Sequence, residues 1–198
     1  MMKVGLTGNM GSGKSLAASV FGVLGIPVYQ ADPQSKKFLS DPGVKEKIAS
    51  KFGKGVLDAA GEVDRLALGA IVFTDAVLLN FLTTILHPLV REDFREWFGK
   101  QPDHPYVIHE AAIIFESGFE KEFDRVIHVA CPKELAIRRI MERDGYTREH
   151  VLDRMRFQWD DREKEALADF VIRNDGSEML LPQILEIHRR LTEINKKK

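Results

Sequence analysis

The chain has 198 residues, 44% of them hydrophobic and 30% charged, and a formal net charge of −1. This length suits one domain with a sizeable apolar core, and a nearly neutral chain lacks the global basic field typical of nucleic-acid-binding proteins. No apolar run approaches the length of a membrane span. The chain starts directly with a predicted strand rather than a signal peptide, so we expect a cytoplasmic protein.

The cysteine, histidine and terminal lysine residues indicate no disulfide, no metal site and no binding patch. Cys131 is the single cysteine, so an intramolecular disulfide is impossible, and it follows the apolar run RVIHVA, which predicts a buried thiol at a strand end. The six histidines have no spacing typical of metal ligands. Residues 196–198 are three lysines, for which we expect a solvated tail.

The first predicted strand and helix enclose a glycine-rich loop. Residues 8–15 read GNMGSGKS and match G-x-x-x-x-G-K-[ST]. An apolar run precedes the loop, and apolar residues at helical spacing follow it as far as Gly25, as a phosphate-binding loop requires. Lys14 would reach the β- and γ-phosphates, and the Ser15 hydroxyl would bind Mg²⁺. The predicted nucleotide-binding residues of the loop are Gly8, Met10, Gly11, Ser12, Gly13, Lys14 and Ser15.

Strands and helices then alternate along the chain. The apolar patterns predict further strands at residues 26–29, 106–115, 125–131 and 169–174, and helices at residues 44–52, 66–73, 76–98, 132–143 and 178–194. His87-Pro88 would kink or split the long helix at 76–98. This alternation predicts an α/β fold, with a five-stranded parallel sheet covered by helices on both faces.

Two segments are larger or more charged than ordinary connections. The helical stretch between the second and third strands predicts an inserted acceptor-binding subdomain at about residues 60–100. Arginines at 143, 148, 154, 156 and 162 fall in a charge-dense segment. This segment is either a lid that neutralises phosphate charge, at about residues 139–165, or an ordinary solvated helical face.

Several polar residues follow predicted strands, where ligands bind in open α/β sheets. Asp32, Glu110, Glu116 and Asn174 lie at or near such ends. Each also has a structural interpretation. Asp32 would cap a helix beginning at Pro33, the two glutamates would be a strand and a loop carboxylate, and Asn174 would be a turn residue.

The order of these motifs resembles the dephospho-CoA kinase family over nearly the whole chain. The resemblance rests on GLTGNMGSGKS, VYQAD, RLALGAIVF, LHPLV, AIIFESG, RRIMERDGYTREHV, RFQ and ADFVIRNDG. It implies a P-loop kinase core with a mainly helical CoA-binding subdomain and a lid. It also implies that ATP, with Mg²⁺, phosphorylates the ribose 3′-hydroxyl of dephospho-CoA, with no nucleic acid, membrane or obligate protein partner.

The resemblance also implies roles for single residues. Asp32 would be the base for the acceptor hydroxyl, and Arg65, His87 and Glu110 would belong to the acceptor side. Arg139, with Lys14, would act in catalysis, and Arg139, Arg143 and Arg148 would lie in the helix-and-lid region. Arg143 and Asn174 would bind the nucleotide, Asn174 near the adenine of ATP. The roles implied for Asp32 and Asn174 do not exclude the capping and turn interpretations given above.

Three positions depart from the family pattern, at Gln30, Leu16 and Ala112. Gln30 replaces the first acid of D-A-D, Leu16 replaces a threonine after the phosphate loop, and Ala112 replaces a proline. They leave Lys14 and Ser15 intact but keep two alternatives open. One is another small-molecule or nucleoside-monophosphate kinase, and the other is a nucleotide-binding regulatory module without catalysis.

Overall fold

The computed structural model describes residues 1–196 and divides into two compact units. The core unit consists of Met1–Gln30 and the chain from Lys100 onward, and the helical unit is Ala31–Gly99. Lys197 and Lys198, two of the three residues of the expected solvated tail, lie outside the described residues.

Five parallel strands form the sheet of the core unit. They are β1 (Met2–Thr7), β2 (Val28–Gln30), β3 (Tyr106–Glu110), β4 (Arg125–Ala130) and β5 (Phe170–Arg173). Their order in the sheet is β2-β3-β1-β4-β5, with every neighbouring pair parallel. The expected five-stranded parallel sheet is therefore confirmed.

The helices are α1 (Lys14–Val23), α2 (Ala31–Phe38), α3 (Pro42–Phe52), α4 (Arg65–Val72), α5 (Ala76–Gly99), α6 (Lys133–Asp144), α7 (Arg148–Met155), α8 (Asp161–Leu167) and α9 (Leu180–Lys196). Helices α2–α5 make up the helical unit, and the others belong to the core unit. Within residues 1–196, no helix combines the length and apolarity needed to cross a membrane.

Helices cover both faces of the sheet. Side chains alternate between the two faces along each strand, so neighbouring residues of a strand pack on opposite sides. Ile127 and Val129 of β4 join a fully buried cluster with Phe21 of α1 and Leu191 of α9. His128, between these two strand residues, points to the opposite face, where it meets α8.

The apolar segment 106–115 is only partly a strand. β3 ends at Glu110, and turns follow at residues 112–118, so the expected strand was too long. Ile114 and Phe115 of the turn are nevertheless buried, because the chain folds back over the sheet. Ile114 Cδ1 lies 3.0 Å from where a Cβ on Gly5 would be, which means that this side chain covers β1.

Side-chain caps fix the start of several helices. Asp41 accepts from Val44 N ahead of α3, Asp64 caps α4, and Thr147 caps α7. Asp160 and Glu163 form a reciprocal capping box at α8. Each cap satisfies N–H groups that have no partner within the helix, so these boundaries follow from local sequence.

The helical unit has its own apolar core, which includes Ile48, Leu68 and Leu86. Its longest helix, α5, has 24 residues and continues through Pro88. Of the two outcomes expected at His87-Pro88, the split does not occur, because the missing N–H of one proline removes only one hydrogen bond from a long helix, and the kink stays a prediction.

Candidate active site

Residues 8–15 form a tight loop between β1 and α1, as the sequence predicts. Gly11 and Gly13 have φ of 75° and 91°, in the left-handed region that favours glycine. A Cβ at Gly8 would lie 2.7 Å from Val129 O, and one at Gly11 would lie 2.5 Å from Ala136 O. The loop is therefore pressed against both β4 and α6, and larger residues would displace its backbone.

The N-terminus of α1 opens directly into this loop. Gly13 is the capping residue and provides no side-chain cap, so the N–H groups of the first turn remain directed at the loop. The partial positive charge of a helix N-terminus favours an anion at this place. The local backbone can therefore receive phosphate oxygens.

The Lys14, Ser15 and Glu110 side chains meet at one point of the core unit. Lys14 Nζ lies 3.5 Å from Glu110 Oε1, and Ser15 Oγ donates to the same oxygen at 3.2 Å. Glu110 is 4% exposed and ends β3, in register with Leu6 of β1. Strand pairing therefore brings the carboxylate next to the loop, across 95 positions of sequence.

Asn174 ties the end of β5 to the phosphate loop. Its Nδ2 donates to Ser12 O at 2.7 Å, and a Cβ on Gly13 would collide with this amide. Arg139 in turn donates to Asn174 O at 3.2 Å, to Asn174 Oδ1 at 3.4 Å and to Cys131 Sγ at 3.4 Å. Asn174 therefore supports the loop backbone and is more than a turn residue.

Residues that sequence reasoning missed connect the loop to the segment after α7. Met10 N donates to Gln158 Oε1 at 3.0 Å, and Asn9 Nδ2 donates to Trp159 O and to Asp161 Oδ1, both at 3.1 Å. Asp161 Oδ2 also accepts from Cys131 N at 2.9 Å, at the end of β4. No local pattern in the sequence pairs these distant positions.

The predicted lid arginines have acidic partners in this structure. Arg148 makes two 2.8 Å hydrogen bonds to Glu134, and Arg143 makes two of 2.8 Å to Asp144. The arginine hydrogen bonds lower the pKa of both carboxyl groups. Both arginines are exposed, so these pairs contribute little to stability.

A cavity of about 530 Å³ opens beside the loop, between the start of α6 and the segment after α7. Asn9 lines it, but Lys14 and Ser15 do not. Cys131 also lines it and is 5% exposed, which confirms the expected buried thiol, and burial is the main factor raising its pKa. The cavity therefore adjoins the loop but does not include the cluster of Lys14, Ser15 and Glu110.

Three candidate residues lie in the helical unit. Asp32 is exposed in the first turn of α2, which begins at Ala31, so the expected helix start at Pro33 was late. Arg65 is the exposed first residue of α4. His87 is half-buried in α5, where burial and then the Arg91 charge lower its pKa.

The ligands expected for Mg²⁺ are oxygen atoms from one or two protein groups, completed by water and phosphate. In the described part of the chain no group of three or more histidine, cysteine, aspartate or glutamate residues could hold a metal by itself. Ser15 can be such an oxygen ligand for Mg²⁺. Its hydroxyl hydrogen is donated to Glu110, so the lone pairs of the oxygen remain available. The residues present are thus compatible with a magnesium ion that arrives with a nucleotide.

Comparison with known proteins identifies close relatives over almost the whole chain. The sequence model of the dephospho-CoA kinase family matches residues 2–179. A dephospho-CoA kinase from Bacteroides fragilis is 37% identical over 187 residues, which cover 94% of this chain and 91% of the relative.

Two solved structures are also similar. TT1252 from Thermus thermophilus has a TM-score of 0.82 and 34% identity, and the alignment covers 96% of both chains. The dephospho-CoA kinase from Campylobacter jejuni has a TM-score of 0.69 and 28% identity, with 98% of both chains covered.

Proposed function

Because this chain belongs to the dephospho-CoA kinase family, we propose that it transfers the γ-phosphoryl group of ATP to the ribose 3′-hydroxyl of dephospho-CoA. The chain is a P-loop kinase, and the family reaction is the final step of CoA biosynthesis. The observation that carries the proposal is the cluster of Lys14, Ser15 and Glu110 at a correctly formed phosphate loop.

The phosphate loop binds the triphosphate in this proposal. The N-terminus of α1 and backbone N–H groups of the loop other than those of Met10 and Ser12, which donate to Gln158 and Asn9, face the phosphate oxygens. Lys14 turns from Glu110 toward the β- and γ-phosphates, where its charge stabilises the transferring group. Asn174 keeps the loop backbone in place from the adenine end.

Ser15 holds the magnesium ion in this proposal, and the ion supplies neutralisation of phosphate charge when it is bound. Glu110 accepts the Ser15 hydroxyl hydrogen and keeps the oxygen lone pairs directed away from itself. This hydrogen bond supports our proposal of a role for Glu110 beside the nucleotide. Its predicted role on the acceptor side stays a prediction.

The helical unit, and within it residues 60–100 above all, is the proposed acceptor-binding subdomain. Arg65 and His87 would bind the acceptor, and Asp32 would take the proton of the 3′-hydroxyl. The hydroxyl oxygen forms the new bond to the γ-phosphorus, the bond to the ADP oxygen breaks, and the proton moves to the Asp32 carboxylate. The exposed position of Asp32 in the first turn of α2 supports this role, because the carboxylate is accessible.

The lid is proposed to lie at about residues 139–165, with α7 closing over the phosphates while the start of α8 stays attached to the loop. Arg139 is already fixed beside the loop through Asn174. Arg143 and Arg148 would exchange Asp144 and Glu134 for phosphate oxygens, which also accept two hydrogen bonds from one guanidinium group. Charge neutralisation in the water-excluded site would then assist transfer.

The three departures from the family pattern leave the contacts among Lys14, Ser15 and Glu110 in place. Ala112 contributes its backbone oxygen, which accepts from Thr7 Oγ1 at 3.2 Å, and Leu16 is 57% exposed. Gln30 is the exposed last residue of β2. We propose a cytoplasmic enzyme whose partners are ATP and dephospho-CoA, without a nucleic acid, membrane or obligate protein partner.

A panel of acceptors tests the function directly. Purified protein is incubated with ATP, Mg²⁺ and one acceptor at a time, and ADP release and phosphorylated product are measured. We expect turnover with dephospho-CoA and formation of CoA. Preferential turnover of a nucleoside monophosphate or another small alcohol would replace the proposal with the second kinase function, and ATP binding without transfer to any acceptor would favour a regulatory module.

A further inference from the structure

Lys164 is a fully buried lysine whose ammonium group reaches the phosphate loop. Its side chain is 0% exposed, and Nζ lies 2.7 Å from Glu116 Oε1. The same nitrogen donates to Asn9 Oδ1 at 2.7 Å and to Ala112 O at 3.1 Å. The three donors of the ammonium therefore meet three acceptors, from the loop and from the turn after β3.

The side-chain amide of Asn9 is fixed on both sides by residues of the segment 159–164. Its oxygen accepts from Lys164, and its nitrogen donates to Trp159 O and to Asp161 Oδ1. Asn9 is the second residue of the phosphate loop. The position of the loop is therefore linked to α8 and to the residues just before it.

Glu116, the acidic partner of Lys164, also contacts the segment before α8. Its Oε1 also accepts from Trp159 N at 2.9 Å, so one carboxylate oxygen contacts both Lys164 and the segment before α8. Burial lowers the pKa of Lys164, while the hydrogen bond and charge of Glu116 act in the opposite direction.

An ion pair at a buried site is costly, since both groups lose their hydration, and well-packed apolar residues often stabilise a fold at least as well. Packing of α8 on β4 alone therefore gives no reason for a lysine at position 164. An apolar side chain could make none of the three polar contacts of Lys164, and the one to Asn9 is the contact that reaches the phosphate loop.

We propose that Lys164 is a positioning residue for the phosphate loop, acting through Asn9. The ammonium holds the Asn9 amide against α8, so that the loop backbone is already in position when a triphosphate arrives. Preorganised donors bind and stabilise charge without rearranging during the reaction. The inference rests on the proposed function only in taking the loop as the ATP site.

Lys164→Met tests the proposal, because methionine fills a similar volume without charge. ATP affinity is measured by calorimetry without acceptor, and kcat and KM are measured with dephospho-CoA. We expect the Kd for ATP to rise at least tenfold and kcat to fall, with the circular dichroism spectrum unchanged. Lys121→Met is the matched control, because it removes the same charge from an exposed position, and it should leave both values unchanged.

A double-mutant cycle with Asn9→Ala gives the readout that separates positioning from plain stability. If Lys164 acts through Asn9, the second substitution adds little to the rise in Kd for ATP caused by the first. Independent, additive effects on Kd would overturn the proposal. An unchanged Kd in folded Lys164→Met, with only a lower Tm, would overturn it as well.

The test remains informative if Lys164→Met does not fold. Asn9→Ala is then measured alone. It removes the contact of Lys164 to the loop, together with the two hydrogen bonds from Asn9 Nδ2, and leaves the pair of Lys164 with Glu116. A raised Kd for ATP supports the proposal and an unchanged Kd contradicts it. Since binding is measured without acceptor, wild-type protein that binds ATP but does not phosphorylate dephospho-CoA would contradict the proposed function alone.

Discussion

The buried carboxylate of Glu110 is stabilised by two residues of the phosphate loop. Its oxygen meets Lys14 at 3.5 Å and the Ser15 hydroxyl at 3.2 Å, and the group is almost fully buried. A carboxylate buried in this way needs a cation or hydrogen-bond donors, and the phosphate loop provides both. In the proposed complex with ATP, Lys14 would turn toward the phosphates and the Ser15 hydroxyl would remain as a donor to Glu110.

Lys14→Ala should remove most of the catalytic activity. The ammonium group is the loop side chain that can reach the transferring phosphate, and removal of one such electrostatic group typically lowers kcat by about 10²–10³. We expect an unchanged circular dichroism spectrum and a large loss of turnover with dephospho-CoA. Near wild-type turnover in the folded variant would rule out the phosphate-loop mechanism, and Lys121→Ala is the exposed control.

Asp32→Asn separates catalysis from a structural role. Asparagine caps or begins a helix about as well as aspartate, but it cannot accept the hydroxyl proton. We expect unchanged Tm and ATP affinity, and a kcat lower by about 10²–10⁴, the usual contribution of a general base. If the variant keeps wild-type kcat, Asp32 is structural and Glu110 becomes the next candidate for the base.

At the scale of elements, the region from α6 to α8 connects the loop to exposed arginines. The end of this region is attached to the loop through Gln158 and Asp161. By contrast, α7 presents Arg148 to Glu134 in a solvent-exposed pair, which contributes little to stability. We therefore expect α7 to be the movable part and the start of α8 to be its fixed base.

Hydrogen exchange should show this difference directly. With a non-hydrolysable ATP analogue and Mg²⁺, amides of residues 143–157 should gain protection, because the arginines then hold the lid on the phosphates. Amides at the start of α8 should change less. Equal protection of residues 143–157 in both states would favour the alternative of an ordinary solvated helical face.

At the scale of the whole molecule, the core unit contains a buried histidine that makes stability depend on pH. His109 lies on β3 among the rings of Tyr29, Phe119 and Phe123, at centroid distances of 4.9–5.2 Å. Burial lowers its pKa to about 3. In the unfolded chain the pKa returns to about 6.5.

The free energy of unfolding should therefore fall as the pH decreases from about 6.5 toward 3. In this window the unfolded chain binds a proton that the folded chain does not, which costs about 1.4 kcal/mol per pH unit. Urea unfolding of wild-type and His109→Phe proteins between pH 7 and 4.5 measures this term, because other titrating groups are common to both. Parallel curves would contradict the assignment.

Much of the candidate site is encoded locally. The phosphate loop could be predicted because its function depends on consecutive residues and on backbone geometry that Gly11 and Gly13 permit. The helix starts at Asp41 and Asp160 are likewise local, since each cap bonds N–H groups within three residues. Relatives with 37% identity over 94% of the chain confirm the family that the order of motifs predicts.

The remaining parts depend on contacts between distant residues. The expected strand at 106–115 was too long because an apolar run shows burial but not where the chain turns. Alternating strands and helices also leave the strand order open. The order β2-β3-β1-β4-β5 is what places Glu110 beside Ser15.

The sequence by itself determined the parallel α/β class, the phosphate loop and the family, because these follow from periodicity and from consecutive motif residues. The tertiary structure decided that Glu110 contacts Lys14, that Asn174 supports Ser12, and that Lys164 is buried against Asn9. A charged residue in a charge-dense segment gives no local sign of burial. Its environment is set by residues up to 155 positions away, which only packing brings together.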